Sequence, residues 1–153
     1  MSQNPSATLA APLWPHGDSS LMHLVRRAGQ RSTSCWNQCV DTGLSAVQYA
    51  ILVVLAEEGS CDQQTLGGRA GFDKATGTYV IDQMSKNGLV SVATDPANRR
   101  RKLVSMTAEG VAMMARMVEQ AKQAETLIAA DLDAQDVSDL KRLLSKLGGL
   151  APS

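Results

Sequence analysis

Glycines cut the stretch between residues 45 and 107 into short segments, and most segments open on a helix-capping residue. This punctuation limits the fold more than any other feature of the sequence. Ser45-Ala-Val-Gln48 has the Ser-x-x-Gln form of a capping box and opens an apolar helix through Tyr49, Leu52, Val53 and Leu55–Ala56. Gly59 stops it. Ser60-Cys-Asp-Gln63 repeats the form and predicts a short helix over about 61–69, which Gly71 breaks. Asp73 is a good N-cap for a further helix over about 74–87, and Gly88 closes that helix at a C′ position. Two β-like runs follow, Leu89–Thr94 and Lys102–Met106. Between them lies Asp95-Pro-Ala-Asn-Arg-Arg-Arg101, a turn followed by three bases, so the pair predicts a hairpin.

The flanking segments read differently. Residues 1–17, with Pro5, Pro12 and Pro15 among Ser, Ala and Gly, predict an extended arm. Over about 19–40, Leu21, Leu24, Ala28, Arg31, Cys35 and Cys39 recur at helical spacing. After Thr107 the pattern predicts a long helix over about 108–130, rich in Ala and Met. A last amphipathic helix over about 134–147 aligns Val137, Leu140, Leu143, Leu144 and Leu147, and Gly148-Gly149 ends it. At 153 residues one compact domain is expected, and with only 3% aromatics its core must be aliphatic. No apolar run approaches the roughly 18 residues of a membrane span. The first fifteen residues lack the basic region of a secretory signal. Three cysteines cannot all pair, so reduced thiols in the cytoplasm are the expectation.

The order helix, short helix, tight turn, helix, basic hairpin is that of a winged helix-turn-helix. The fold class expected is therefore mainly α with a small β-hairpin. Residues 43–107 would form the DNA-binding region, and long helices in 18–42 and 108–153 would serve for dimerisation. A major groove about 12 Å wide admits one helix, whose N-terminal residues face the base edges. Lys74, Thr76, Thr78 and Tyr79 occupy that position here, with Gln64 on the preceding helix. Val80, Ile81 and Met84 would hold the helix to the core. Asn98, Arg99, Arg100 and Arg101 at the hairpin tip suit phosphates and a narrow minor groove. The net charge is zero, yet residues 62–102 carry seven Lys/Arg against four Asp, the local excess that a DNA-binding module needs.

Across about residues 19–147 the chain resembles the MarR family. The resemblance is carried by Leu24-Val-Arg-Arg-Ala28 with Arg31, Gly43-Leu-Ser-Ala-Val-Gln-Tyr49, Gly71-Phe-Asp-Lys-Ala-Thr76, Gly88-Leu-Val90, Asp95-Pro-Ala-Asn-Arg-Arg100, Leu103 and Thr107-Ala-Glu-Gly110. It implies a triangular homodimer joined through first and last helices, double-stranded operator DNA as partner, and release by a small molecule, often an aromatic acid. The opening Leu-Trp-Pro-His16 and the first helix look most like the branch controlling breakdown of aromatic and N-heteroaromatic acids such as nicotinate. Asp82 matches a family position that commonly pairs with a wing arginine. Asn98 stands where the family usually has an Asp that orients the wing-tip arginine, so the hydrogen bond there lacks charge assistance.

Arg31 lies on an apolar stripe, where an unpaired charge is costly. Either an internal carboxylate or carbonyl satisfies it, or it meets an effector carboxylate, with Trp14, His16 and Tyr49 as walls. His16 and His23 read as structural or exposed rather than as ligands. No Cys/His spacing reads as a zinc site, no cofactor motif is present, and no nucleophilic triad supports an enzyme. Two alternatives remain: a redox-sensing regulator of the same fold, with Cys61 near a helix start as its best thiol, and a winged-helix module for protein contact.

Overall fold

The computed structural model describes residues 20–150. Six helices and three strands run in the order α1 (Leu21–Cys39), α2 (Ala46–Glu58), β1 (Ser60–Asp62), α3 (Gln63–Ala70), α4 (Lys74–Lys86), β2 (Val90–Asp95), β3 (Asn98–Met106), α5 (Ala108–Ile128) and α6 (Ala134–Leu147). The strands form one antiparallel sheet in the order β1-β3-β2.

Local chemistry sets the helix starts. Ser45 and Gln48 close a reciprocal capping box at α2, and Thr107 Oγ1 accepts the Gly110 N–H at α5. Asp73 Oδ1 accepts the Thr76 N–H at 2.7 Å to start α4. At α3 the expected Ser60 capping box does not form. Ser60–Asp62 is instead a short strand paired with Ser105, Val104 and Leu103, and Asp62 is the N-cap, its Oδ1 accepting the Thr65 N–H at 2.8 Å. Burial decides this: Cys61 is buried, in register with the equally buried Val104, which holds Ser60 in the ladder.

The hairpin is also longer than its sequence pattern suggests. Only Pro96 and Ala97 lie in the turn, and Arg99–Arg101 belong to β3 rather than to a loop. The β2 register shifts between Thr94 and Asp95, so that Lys102 faces Thr94 while Asn98 faces Asp95. The three arginines occupy the resulting irregularity.

The core lies between α2 and the sheet. Ile51, Leu52, Val54 and Leu55 of α2 meet Leu66 of α3, Ile81 and Met84 of α4, and Leu89, Val90 and Val104 of the hairpin. Helix α5 closes it with the partly buried Met113 and Met114, and α1 lies along α5. The two long-helix stripes read from the sequence behave differently. On α1 only Cys35 is buried, whereas Leu21 and Leu24 stand open. On α6 nothing is buried, and Leu140, Leu143, Leu144 and Leu147 are all exposed within the single chain.

One close approach fixes how α5 leaves the sheet. A Cβ on Gly110 would lie 2.2 Å from the Leu89 carbonyl oxygen and 2.7 Å from Met106 Cγ. The first contact is backbone and cannot rotate away. Gly110→Ala should therefore destabilise the fold by about 1–3 kcal/mol, the usual cost of overpacking. Urea denaturation should show a lowered midpoint with unchanged m-value; an unshifted midpoint would mean that α5 can slide.

Candidate nucleic-acid interface and ligand cavity

Helices α3 and α4 meet through a turn whose geometry depends on small residues. Gly71 adopts φ +81°, a left-handed conformation that costs glycine nothing, and its N–H and that of Phe72 both donate to the Gly67 carbonyl. The Phe72 ring then fills the crevice between the helices. A Cβ on Gly77 would lie 2.4 Å from its Cε2, and one on Gly67 3.0 Å. Gln63 Nε2 crosses the crevice to Thr78 Oγ1 at 3.0 Å and the Lys74 carbonyl at 3.3 Å. Sequence reading gave Phe72, Gly77 and Gln63 no part in this crevice, because their partners lie five to fifteen positions away.

Ile81 and Met84 bury the back of α4, as expected, with Val80 partly buried. Lys74, Thr76, Thr78 and Tyr79 lie on its exposed side, Tyr79 at 67% exposure. Gln64 is exposed on α3 and joins Gln63, Gly67, Phe72, Asp73, Lys74 and Thr78 around a groove of about 550 Å³. The Thr78 hydroxyl is already engaged, donating to the Lys74 carbonyl at 3.0 Å while accepting from Gln63.

At the wing, Asn98, Arg99 and Arg100 are exposed. Asn98 Oδ1 accepts the Arg100 backbone N–H at 3.1 Å, so it shapes the backbone rather than an arginine side chain. Asp82 pairs with Lys86 one turn on at 2.8 Å, not with a wing arginine as the resemblance implied. The paired wing arginine is Arg101, whose carboxylates are Asp62 and Asp95. Sequence offered no sign of that contact, which joins residues 39 positions apart.

A second concavity, of about 410 Å³, lies among α1, α2 and α5. Trp36 and Tyr49 form its aromatic wall, their ring centroids 5.6 Å apart at 47°. Trp36 Nε1 donates to the Leu44 carbonyl at 2.7 Å, which locks the indole in place. Lys122 and Glu125 of α5 bring the charges to the rim. Asp41 pins the α1–α2 connection to α5, accepting from Gln120 Nε2 at 2.9 Å and pairing with Arg116 at 3.2 Å. Those bonds, the Gln120 one foremost, hold its carboxyl below the usual range.

Of the residues expected to form an effector site, Tyr49 lines this cavity. Arg31 is exposed on α1 beside the lining residue Ser32 but does not itself line the cavity. Its guanidinium has no ion pair or hydrogen bond among the described residues, so no internal carboxylate satisfies it there. Trp14 and His16 lie outside the described residues. His23 Nδ1 sits 2.8 Å from Arg26 Nη2. Trp36 and Lys122 were missed because one took part in no apolar stripe and the other looks like an ordinary surface base. Cys61 is buried, and that burial, with Asp62 and Glu58 beside it, pushes its thiol pKa up. A raised pKa is the reverse of what a peroxide-sensing thiolate needs.

Two crossed helices with an exposed second helix, followed by a basic hairpin, define a winged helix-turn-helix DNA-binding unit. The model of the MarR family matches residues 44–102. The chain is 30% identical over 126 residues to the transcriptional repressor NicR of Pseudomonas putida, covering 82% of this chain and 80% of that one. Among solved structures it is similar to BpsR of Bordetella bronchiseptica, whose DNA binding is regulated by 6-hydroxynicotinic acid. That match has a TM-score of 0.82 at 31% identity and covers 89% of this chain and 98% of that one. The PcaV regulator of Streptomyces coelicolor, solved with its natural ligand, matches with a TM-score of 0.82 at 29% identity, over 88% and 96%. The chain belongs to the MarR family: it is a DNA-binding transcriptional regulator, not an enzyme.

The α3 cap carries a pH signature. Hydrogen bonds from the Thr65 N–H, then from Arg101, lower the Asp62 carboxyl from 3.8 to about 2. A depressed folded-state pKa contributes stability that is complete above the unfolded value and is lost as pH falls through the folded one. The window is therefore about pH 4 down to about pH 2. Asp62→Asn keeps a capping side chain but removes this titration, so its stability should fall less steeply than wild type across that window. Parallel acid slopes in urea titrations would show that Asp62 is not depressed.

Proposed function

We propose that this chain is a ligand-responsive repressor that binds a palindromic operator as a homodimer and leaves it when a small aromatic or N-heteroaromatic carboxylate binds. The observation that carries the reading is the cavity walled by Trp36 and Tyr49, because α2 forms one side of it and also the centre of the DNA-binding core. A ligand there acts on a helix that the recognition unit cannot move without. The likeness to NicR and BpsR supports both the repressor role and the ligand class. Cys35 and Cys61 are buried and Cys39 is partly covered, and Cys61, the thiol best placed for a redox sensor, is held protonated by its burial, which counts against the redox alternative.

Dimerisation follows from the exposed faces. The α1 leucines and the α6 stripe are too apolar to remain in water, and each needs a cover that the single chain does not supply. Charge favours a second copy. Helix α1 holds Arg26, Arg27 and Arg31 and no acid, while the α5–α6 corner presents Glu125, Asp131, Asp133, Asp136 and Asp139. In such a dimer two α4 helices enter successive major grooves about 34 Å apart, and the wings follow the backbone. Light scattering should find a dimer at micromolar concentration; a stable folded monomer would defeat the arrangement.

On DNA, Arg99 and Arg100 neutralise phosphates or enter the minor groove, while Thr76, Tyr79 and Lys74 address base edges, with Gln64 beside them. Replacing Arg99 or Arg100 by Ala should weaken binding to every duplex and reduce the salt slope by about one unit. Changes at Thr76 or Tyr79 should alter base preference instead. Wing variants that shift specificity at constant slope would reverse the roles.

For the effector, the acid's ring packs on Trp36 and Tyr49, and Lys122 or the neighbouring Arg31 takes its carboxylate. A coupling of about 1–3 kcal/mol between the sites would lower operator affinity roughly five- to 150-fold. The test is titration of a Trp14→Phe variant, which leaves Trp36 as the single indole, with a panel of aromatic and pyridine carboxylates. Quenching should saturate together with release of DNA. Arg31→Ala and Lys122→Ala then decide which cation binds. An acid that releases DNA without touching Trp36 fluorescence would place the effector elsewhere.

A further inference from the structure

Arg101 is built into the fold in a way that Arg99 and Arg100 are not. The guanidiniums of those two have no ion pair or hydrogen bond among the described residues. Arg101 Nη2 donates to Asp62 Oδ2 at 2.5 Å, and Nη1 lies 3.7 Å from Asp95 Oδ2. The two carboxylates belong to different elements. Asp62 ends β1 and caps α3, while Asp95 ends β2 and accepts the Ala97 N–H of the wing turn at 2.9 Å. Strand β3 runs between them, so one guanidinium ties both outer strands together. The tie lies where the ladder gives out. β1 pairing stops at Asp62 opposite Leu103, and β2 pairing is interrupted across Arg99–Arg101.

We infer that Arg101 is a positioning residue that latches the wing to the N-terminus of α3 and does not itself neutralise a phosphate. Both carboxylates are largely covered, with side-chain exposures of 19% for Asp62 and 12% for Asp95. Moving the guanidinium to DNA would leave two half-buried charges without their cation, which costs more than one surface phosphate contact returns. The fork of Arg suits this double duty, since one planar group can face two acids where an ammonium serves one. The latch sets where Arg99 and Arg100 stand relative to α4, so it governs affinity by geometry.

The inference rests on the DNA-binding reading, and its test separates the two. Binding of the full chain is measured against salt on a duplex from the region upstream of its own gene and on a random-sequence duplex of equal length. The variants are Arg101→Gln, Asp62→Asn, both together, and Arg101→Lys. Arg101→Gln should weaken binding to the upstream duplex about tenfold with an unchanged salt slope. Asp62→Asn, which still caps α3, should do the same, and the double variant should be no worse than either single one. Arg101→Lys should recover part of the loss. In the free protein, amide exchange should quicken in Arg101→Gln at residues 96–101 and in the first turn of α3 together. A slope lower by about one unit in Arg101→Gln, with Asp62→Asn binding as well as wild type or better, would make Arg101 a phosphate contact and overturn the latch. Wild type that binds neither duplex would instead defeat the DNA-binding reading, and unchanged exchange in Arg101→Gln would defeat the latch without reference to DNA.

Discussion

Helix α2 has no side that can face water for long, and the molecule is arranged around that constraint. Its Ile51, Leu52, Val54 and Leu55 are buried against α3, α4 and the sheet, while Ala46 and Tyr49 turn toward α1 and α5. Each fully buried large aliphatic side chain contributes about 1.5–3 kcal/mol, so the helix cannot separate from either neighbour cheaply. The cavity between α1, α2 and α5 and the helix-turn-helix unit therefore share one stiff element. A change in the spacing of α1 and α5 around Tyr49 must be absorbed by rotating or translating α2 with its cargo, because a close-packed interior transmits displacement rather than damping it.

The basic interface arises in a chain without net charge because its acids are used locally. Asp62 and Asp73 cap α3 and α4, Asp82 pairs with Lys86, and Asp95 is bound to the wing turn and Arg101. Each acid of the DNA-binding segment is thereby spent on backbone N–H groups or on one neighbouring base. The bases of that segment left without an ion pair among the described residues are Lys74, Arg99, Arg100 and Lys102. Capping has a further effect here. The Asp73 carboxylate at the start of α4 fixes the exposed end of that helix, so helix direction and surface potential there are set by the same residue.

The stripes on α1 and α6 are what the single chain leaves uncovered. Among the described residues they carry most of the large apolar side chains that the single chain leaves open, and α1 lies along α5. The proposed dimer interface there would leave α4 and the hairpin uncovered.

Much of this was legible in the sequence, and the reason is local. N-caps at Ser45 and Asp73, the glycine at 88 and the apolar periods of the long helices act within a few residues, so the bounds of α2, α4, α5 and α6 could be read to within a residue or two. Their place in the helix and hairpin pattern also singled out Tyr79, Arg99 and Arg100, all of which are exposed. The short strand β1 could not be read, because three residues pair only once Val104 presents an edge to them; in isolation Ser60–Gln63 looks like a helix cap. The Arg101 contacts, the Phe72 wedge and the joining of Trp36, Tyr49 and Lys122 around one cavity were decided by tertiary structure. They depend on where separate elements come to rest, and that is set by burial of α2 and the sheet, a non-directional force that leaves no fixed spacing in the chain.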